Sequence, residues 1–138
     1  GIVFKDDNLT VEAFKVNHGE FEDAYGFRFT SKDKVIVFSG DTGPSKSLED
    51  YAKDADILVH EVYSYAGFLK KTKDWQIYHK SHHTSTYEVG EIASRAKPKL
   101  LVLSHILFWG ADEQDILEET RTTFSGNIKI AEDLMVIK

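Results

Sequence analysis

Three short runs of consecutive apolar residues, VIVF at 35–38, ILV at 57–59 and LLVL at 100–103, constrain this chain more than any other feature in it. An unbroken β-branched, aliphatic or aromatic run of that length, bounded by turn residues, reads as a strand buried on both faces. Each run passes at once into side chains with ligating chemistry. VIVFSGDTG sets Asp41 just past the first strand, DILVHE ends the second in His60 and Glu61, and KLLVLSH ends the third in His105. In open α/β sheets ligands bind in the crevice beyond the carboxyl ends of the strands. The three strands are therefore expected to deliver an aspartate, a His-Glu pair and a histidine to a single edge.

The remaining segments supply partners for these strands. Residues 9–16 (LTVEAFKV) and 25–30 (YGFRFT) alternate as half-buried strands, with Tyr25, Phe27 and Phe29 sharing one face, and the connection between them begins with Asn17, His18 and Gly19. Ser47, with Asp50 three residues on, predicts a short helix that buries Leu48, Tyr51 and Ala52. Ser85-x-x-Glu88 is a capping box ahead of Val89, Ile92, Ala93 and Ala96, which are spaced as one helical face, and Pro98 ends that helix. Asp112 is expected to cap a third helix carrying Ile116, Leu117, Thr120 and Phe124, closed by Gly126, before two last strands at 127–131 and 134–137. Residues 62–82 are rich in aromatics and lysine, have no convincing period and read as irregular. The order β-β-β-α-β-α-β-α-β-β predicts an α/β (α+β) unit, with a largely parallel or mixed sheet, helices on one or both faces and no internal boundary.

A length of 138 residues with 41% hydrophobic content suits one domain, or one piece of a larger one, with its own core. The net charge of −6 gives no general attraction to phosphate backbones. No apolar run approaches the roughly 20 residues of a membrane span, so no membrane partner is expected. The first residue is Gly1 rather than methionine. A missing signal peptide therefore says nothing of the parent protein, and the compartment stays undecided, cytoplasmic by default. Because there is no cysteine, a metal would have to be held by His, Asp and Glu. Six histidines are present: His18, His60, His79, His82, His83 and His105. Two of them end hydrophobic strands, and His83 precedes the capping box. Imidazole and carboxylate without thiolate form the donor set of catalytic zinc, and of iron or manganese at related sites. The plainer alternative is that Asp41 caps the following helix, backbone groups satisfy His60 and His105, and Glu61 is a solvated strand end.

The pieces VNHGEFEDAYGFRF, VFSGDTG, LVHE, HHTSTYEVGEIA and KLLVLSHILFWG, in that order, resemble the second half of a metallo-β-lactamase-fold hydrolase, in the branch that includes ribonuclease Z. The resemblance covers nearly all of the chain. It implies half of an αββα sandwich, a mixed sheet with helices on its outer face. It also implies two divalent metal ions, zinc first, with manganese or iron tolerated. His18 would bind one metal, Asp41 would bridge the two, and His105 would bind the second. His83, which the alignment through GEIA selects over His82, would contact the scissile group or protonate the leaving group. Glu61 would orient His83, His60 would lie near the site, and Trp109 with Phe108 and the 62–82 segment would wall the pocket. The expected reaction is hydrolysis of a small phosphodiester or other ester by a metal-bridging hydroxide.

Transfer RNA ranks lower as a substrate. The ribonuclease pattern usually has His-Glu-Ala-Thr where this chain reads HEVY, and ILFWG replaces an aromatic-basic continuation after the last histidine. The family's His-x-His-x-Asp-His cluster belongs to the first half of the fold and has no match here. The segment alone is thus expected to bind metal weakly and not to catalyse, and an N-terminal half or a second copy to cover the inner sheet face. The competing class is a noncatalytic association module that retains the sheet.

Overall fold

One mixed sheet runs through the whole chain, its strands lying side by side in the order in which they occur. In a computed structural model describing residues 1–138, the sheet contains β1 (Ile2–Lys5), β2 (Leu9–Lys15), β3 (Tyr25–Ser31), β4 (Val35–Phe38), β5 (Ile57–Tyr63), β6 (Leu100–Leu107) and β7 (Ile128–Ile130). β1 to β4 pair antiparallel through short connections, and β4 to β7 pair parallel. Parallel neighbours require a crossover. α1 (Lys46–Ala52) supplies it after β4, α2 (Tyr65–Leu69), α3 (Lys73–His82) and α4 (Thr86–Ala96) after β5, and α5 (Glu113–Arg121) after β6.

Alternation along the strands sorts side chains between two unlike faces. Val37, Leu58, Val62, Leu101 and Leu103 point to one side and join Leu48, Ala52, Val89, Ile92, Ala93 and Ile116 of the helices in a single core. The helices of this core do not cover the other side, where Tyr25, Phe27 and Phe38 stay exposed. The mixed sheet with helices on one face agrees with the fold class read from the sequence.

The predicted capping box forms at Ser85, and the expected cap at Asp112 is a second box. Ser85 Oγ accepts from the Glu88 amide at 3.1 Å while Glu88 accepts from the Ser85 amide at 3.1 Å, and Asp112 and Asp115 do the same around α5. Four details differ from expectation. α1 is capped by Ser45, whose Oγ accepts from the Leu48 amide, so Ser47 lies within the first turn. β1 has all four residues exposed and therefore left no alternating burial pattern to read. Residues 62–82 are not irregular: after β5 ends, Ser64 and Thr72 cap α2 and α3. The helical period of α3 is masked because Trp75 and Ile77 face solvent while the polar His82 is the buried residue. No strand forms at 134–137, where Leu134 takes φ +62° and is fully exposed.

Candidate active site at the strand ends

The carboxyl ends of β4, β5 and β6 open onto a shallow pocket of about 210 Å³, lined by Tyr25, Phe27, Phe38, Asp41, Glu61 and His105 among others. Gly40 makes the first corner. It sits at φ +62°, and a Cβ there would meet the Tyr25 carbonyl oxygen at 2.6 Å, so only glycine lets the chain turn this close to β3. Asp41 leaves the corner about half exposed, and its Oδ1 lies 3.8 Å from His105 Nδ1.

His105 reaches this edge through a bulge. Glu61 pairs with Ser104 and Val62 with Ile106, which leaves His105 as an extra residue in β6 at φ +44°. A bulge of this kind re-aims one side chain while the strands on either side keep their pairing. Its backbone conformation is costly for a non-glycine residue and is held by the paired strand around it.

Glu61 is the most firmly built residue of the site. Its carboxylate is 2% exposed, accepts from the amides of Thr42 at 2.9 Å and Thr84 at 3.2 Å, and accepts from His83 Nδ1 at 2.6 Å. Thr84 Oγ1 donates to the Thr42 carbonyl at 2.7 Å, and the Asn17 amide donates to Thr42 Oγ1 at 3.0 Å. The β4 turn, the start of α4 and the loop after β2 are thus sewn together around one carboxylate. Burial pushes the Glu61 carboxyl above its usual range, against the opposing pull of the His83 hydrogen bond. Burial also works against a charged His83, but the hydrogen bond and negative charge of Glu61 outweigh it and leave the imidazole pKa above its ordinary value. A carboxylate behind Nδ1 sets the tautomer of His83 and raises its basicity.

His83 stands between the other two histidines. Its ring centroid is 5.4 Å from that of His18 and 5.8 Å from that of His105. His18 Nδ1 donates to the His82 carbonyl at 2.8 Å, which leaves the Nε2 lone pair of the neutral ring free. Imidazole and carboxylate donors suit the divalent metals implied by the resemblance. No three His, Asp or Glu side chains of this chain converge closely enough to hold a metal ion by themselves. A metal ion held by His18, Asp41 or His105 would therefore need donors from outside these residues.

Two of the other sequence-derived positions fall elsewhere. His60 does not face the pocket. It alternates with Glu61 along β5, points beneath the helices with Leu58 and Val62, and is fully buried, so its place near the strand end was an accident of proximity in sequence. Its Nδ1 donates to the Glu61 carbonyl at 2.7 Å while Nε2 has no partner, and desolvation lowers its pKa to about 4. Trp109 stands one ring away from the histidine row. It packs on His79 at 4.5 Å and Tyr63 at 5.1 Å, with the Lys71 ammonium 4.4 Å above its ring. His79 in turn is 6.1 Å from His83. Thr42, Thr84 and Ser39, whose Oγ accepts from the Glu61 amide at 3.0 Å, were not singled out from the sequence. Each sits beside a singled-out residue, in SGDTG or HHTS, and small hydroxyl residues flanking ligating ones are the signal that would have found them.

Fold and strand-end site together define a class. The sequence matches the beta-lactamase superfamily domain over residues 1–106, and the chain belongs to that superfamily. Within it, similar curated proteins include ribonucleases Z. The chain is 36% identical to ribonuclease Z of Archaeoglobus fulgidus over 108 residues, 78% of this chain and 33% of that protein. It is 30% identical to ribonuclease Z of Mycobacterium tuberculosis over 136 residues, 93% of this chain and 48% of that protein. Among solved structures, the metallo-beta-lactamase fold protein YhfI from Bacillus subtilis superposes with a TM-score of 0.75 at 23% identity, covering 94% of this chain and 49% of that one. The short form of human tRNase Z gives 0.69 at 22% identity, covering 99% of this chain and 46% of that one. These two likenesses carry the fold alone. The chain thus has the metallo-β-lactamase fold and is ribonuclease Z-like, as its motifs implied, and it spans about a third to a half of the curated relatives it matches.

Proposed function

We propose that residues 1–138 furnish one side of the active centre of a metal-dependent hydrolase that cleaves phosphodiester or other ester bonds. The observation that carries this reading is the Glu61–His83 pair, a buried carboxylate locked by two backbone amides and bonded at 2.6 Å to an imidazole that stands between His18 and His105. A structural histidine has no need of so costly a partner, since desolvating a carboxylate is expensive unless several donors meet it. In the proposed centre His18, Asp41 and His105 contribute ligands to two divalent ions, zinc first, and the remaining ligands come from outside these residues. The ions supply a hydroxide at neutral pH and charge stabilisation. His83 holds a proton for the departing oxygen as the bond to that oxygen breaks, and Glu61 keeps the imidazole basic and in one orientation. The pocket wall of Tyr25, Phe27 and Phe38 suits a substrate with an apolar part.

Tyr25, Phe27 and Phe38 lie exposed on the side of the sheet away from the helical core. We propose that a further segment bearing the missing ligands, or a second copy, packs there. The chain by itself then binds metal weakly and does not turn over. The curated relatives are named ribonuclease Z, which makes RNA a substrate to be tested beside small diesters.

The test is elemental analysis of this chain, of the longest natural chain that contains it, and of an Asp41→Ala variant of each, together with hydrolysis of bis(p-nitrophenyl) phosphate and of a tRNA precursor. Two metal ions per longer chain, lost on substitution and nearly absent from residues 1–138, with hydrolysis abolished by chelator, are the expected result. Absence of metal from every form would overturn the hydrolase reading in favour of a noncatalytic association module.

A further inference from the structure

We propose that His82, the neighbour of the catalytic candidate, is a positioning residue that fixes His18 through a clamp closed by Glu20 and Gly19; this rests on the reading of His18 as a ligand.

The loop after β2 lies on the last turn of α3 and is held there at three points. His18 Nδ1 donates to the His82 carbonyl at 2.8 Å, and the Gly19 amide donates to the Ser81 carbonyl at 3.0 Å. The third point is the His82 side chain itself, 3% exposed, with Nε2 2.8 Å from the Glu20 carboxylate and Nδ1 2.7 Å from the Tyr78 carbonyl. Glu20 is 72% exposed, so it reaches back from solvent to this one buried partner. Residues 18 to 20 are thereby pinned by consecutive contacts to residues 81 and 82.

The fit leaves no room for a side chain between them. Gly19 has φ +57°, and a Cβ placed on it would lie 2.1 Å from His82 Nε2 and 2.3 Å from Cε1. The imidazole therefore serves as a plate on which the Gly19 backbone rests. Tyr78 stacks on that plate from the helix side, at 4.0 Å and 20° between ring planes. Phe21 covers His18 at 5.0 Å and 22°, and the His82 ring meets His18 edge-on at 5.2 Å. His18 is thus enclosed by Phe21, His82 and His83.

Two consecutive residues then set the spacing of the site. The His82 carbonyl holds His18, and the next side chain, His83, is held by Glu61. The 5.4 Å between the rings of His18 and His83 is fixed by the 82–83 dipeptide at the end of α3 rather than by the long path through the sheet. His82 needs no contact with substrate to act; it keeps the His18 ring in the tautomer that offers Nε2.

The experiment is long-range ¹H–¹⁵N NMR of the histidine side chains, with amide hydrogen exchange, on the protein and its His82→Leu, His82→Gln, Glu20→Ala and Gly19→Ala variants. In the parent protein His18 is expected as the Nδ1-protonated tautomer with a protected Gly19 amide. His82→Leu should give a mixture of His18 tautomers and about tenfold or more faster exchange at Gly19, as for a locally released hydrogen bond. The His83–Glu61 signals should stay in place. His82→Gln, which can still donate to Glu20, should restore both His18 signals in part. Unchanged His18 and Gly19 signals in His82→Leu would overturn the proposal and leave the loop held by its backbone bonds alone. If His82→Leu does not fold, Glu20→Ala, altered only at an exposed position, decides by the same two signals. All of these signals are read on metal-free protein and none depends on turnover, so they separate failure of the clamp from failure of the hydrolase reading.

Discussion

On the helical side of the sheet Val37, Leu58, Val62, Leu101 and Leu103 are sealed from solvent, whereas on the opposite side Tyr25, Phe27 and Phe38 are 38% to 42% exposed. The two faces are made by the same strands with equally apolar side chains. Burial of such side chains is worth about 25 cal/mol per Å² removed from water, and the exposed aromatics of the second face collect little of it within this chain. The difference teaches that apolar alternation marks which residues belong to a face, while cover for that face is a separate matter. It also sorts two neighbours on β5: His60 is buried on the finished side as a structural group, and Glu61 on the unfinished side as part of the site.

The largest effect that would break this comparison is a matched truncation. Leu58→Ala on the sealed face should cost about 2–5 kcal/mol, and Phe27→Ala on the open face less than about 1 kcal/mol, both read from urea unfolding of the 138-residue chain. Equal costs would mean that the open face is already covered, by self-association for instance, and sedimentation would show it.

A second test uses pH. His60 has its pKa depressed from 6.5 to about 4 by burial, so the folded state binds fewer protons there than the unfolded state. The stability it contributes is present above 6.5 and is lost as pH falls toward 4, about 3 kcal/mol over that window. The unfolding midpoint of the parent protein should therefore fall more steeply from pH 7 to 4 than that of His60→Leu. Parallel profiles would remove His60 from the sealed core.

Smaller effects separate the two carboxylates of the site. In Glu61 one carboxylate oxygen serves the Thr42 amide and His83 and the other serves the Thr84 amide, so Glu61→Gln keeps an acceptor for only one of these sets, turns an NH2 toward the other, and should cost about 1–3 kcal/mol. Asp41→Asn, half exposed and outside that network, should change stability by no more than about 0.5 kcal/mol in metal-free protein. Thermal unfolding of both variants gives the contrast directly. A large loss for Asp41→Asn would make Asp41 a structural cap, as the plainer sequence reading had it.

The parallel strands were legible because their apolar runs are long and their turn residues distinctive, and the helices of 86–96 and 113–121 because their caps are written in side chains. α3 was not legible, because its buried side is made of histidines packed on aromatics, which carry no apolar period. At the site, the strand ends identified Asp41, Glu61 and His105 as residues of one edge, and the family resemblance added His18 and His83. Position at a strand end could not distinguish Glu61 from His60, because the strand's two-residue alternation sends them to opposite faces whichever face is functional. The order of motifs separated His83 from His82. What it left out is that His82, 3% exposed, is the more enclosed of the two.

The bulge at His105 carries a consequence of counting. Up to Ser104, even-numbered residues of β5 pair with odd-numbered residues of β6, and from Ile106 onward even pairs with even, because one residue has been spent without a partner. Removing that residue would leave the ladder unbroken and the core residue Val62 still opposite an isoleucine. The strand pairing would be kept, and the candidate site would lose its last histidine. The superfluous member of the strand is thus the position of β6 whose deletion would remove a side chain of the candidate site while β5 and β6 keep their partners.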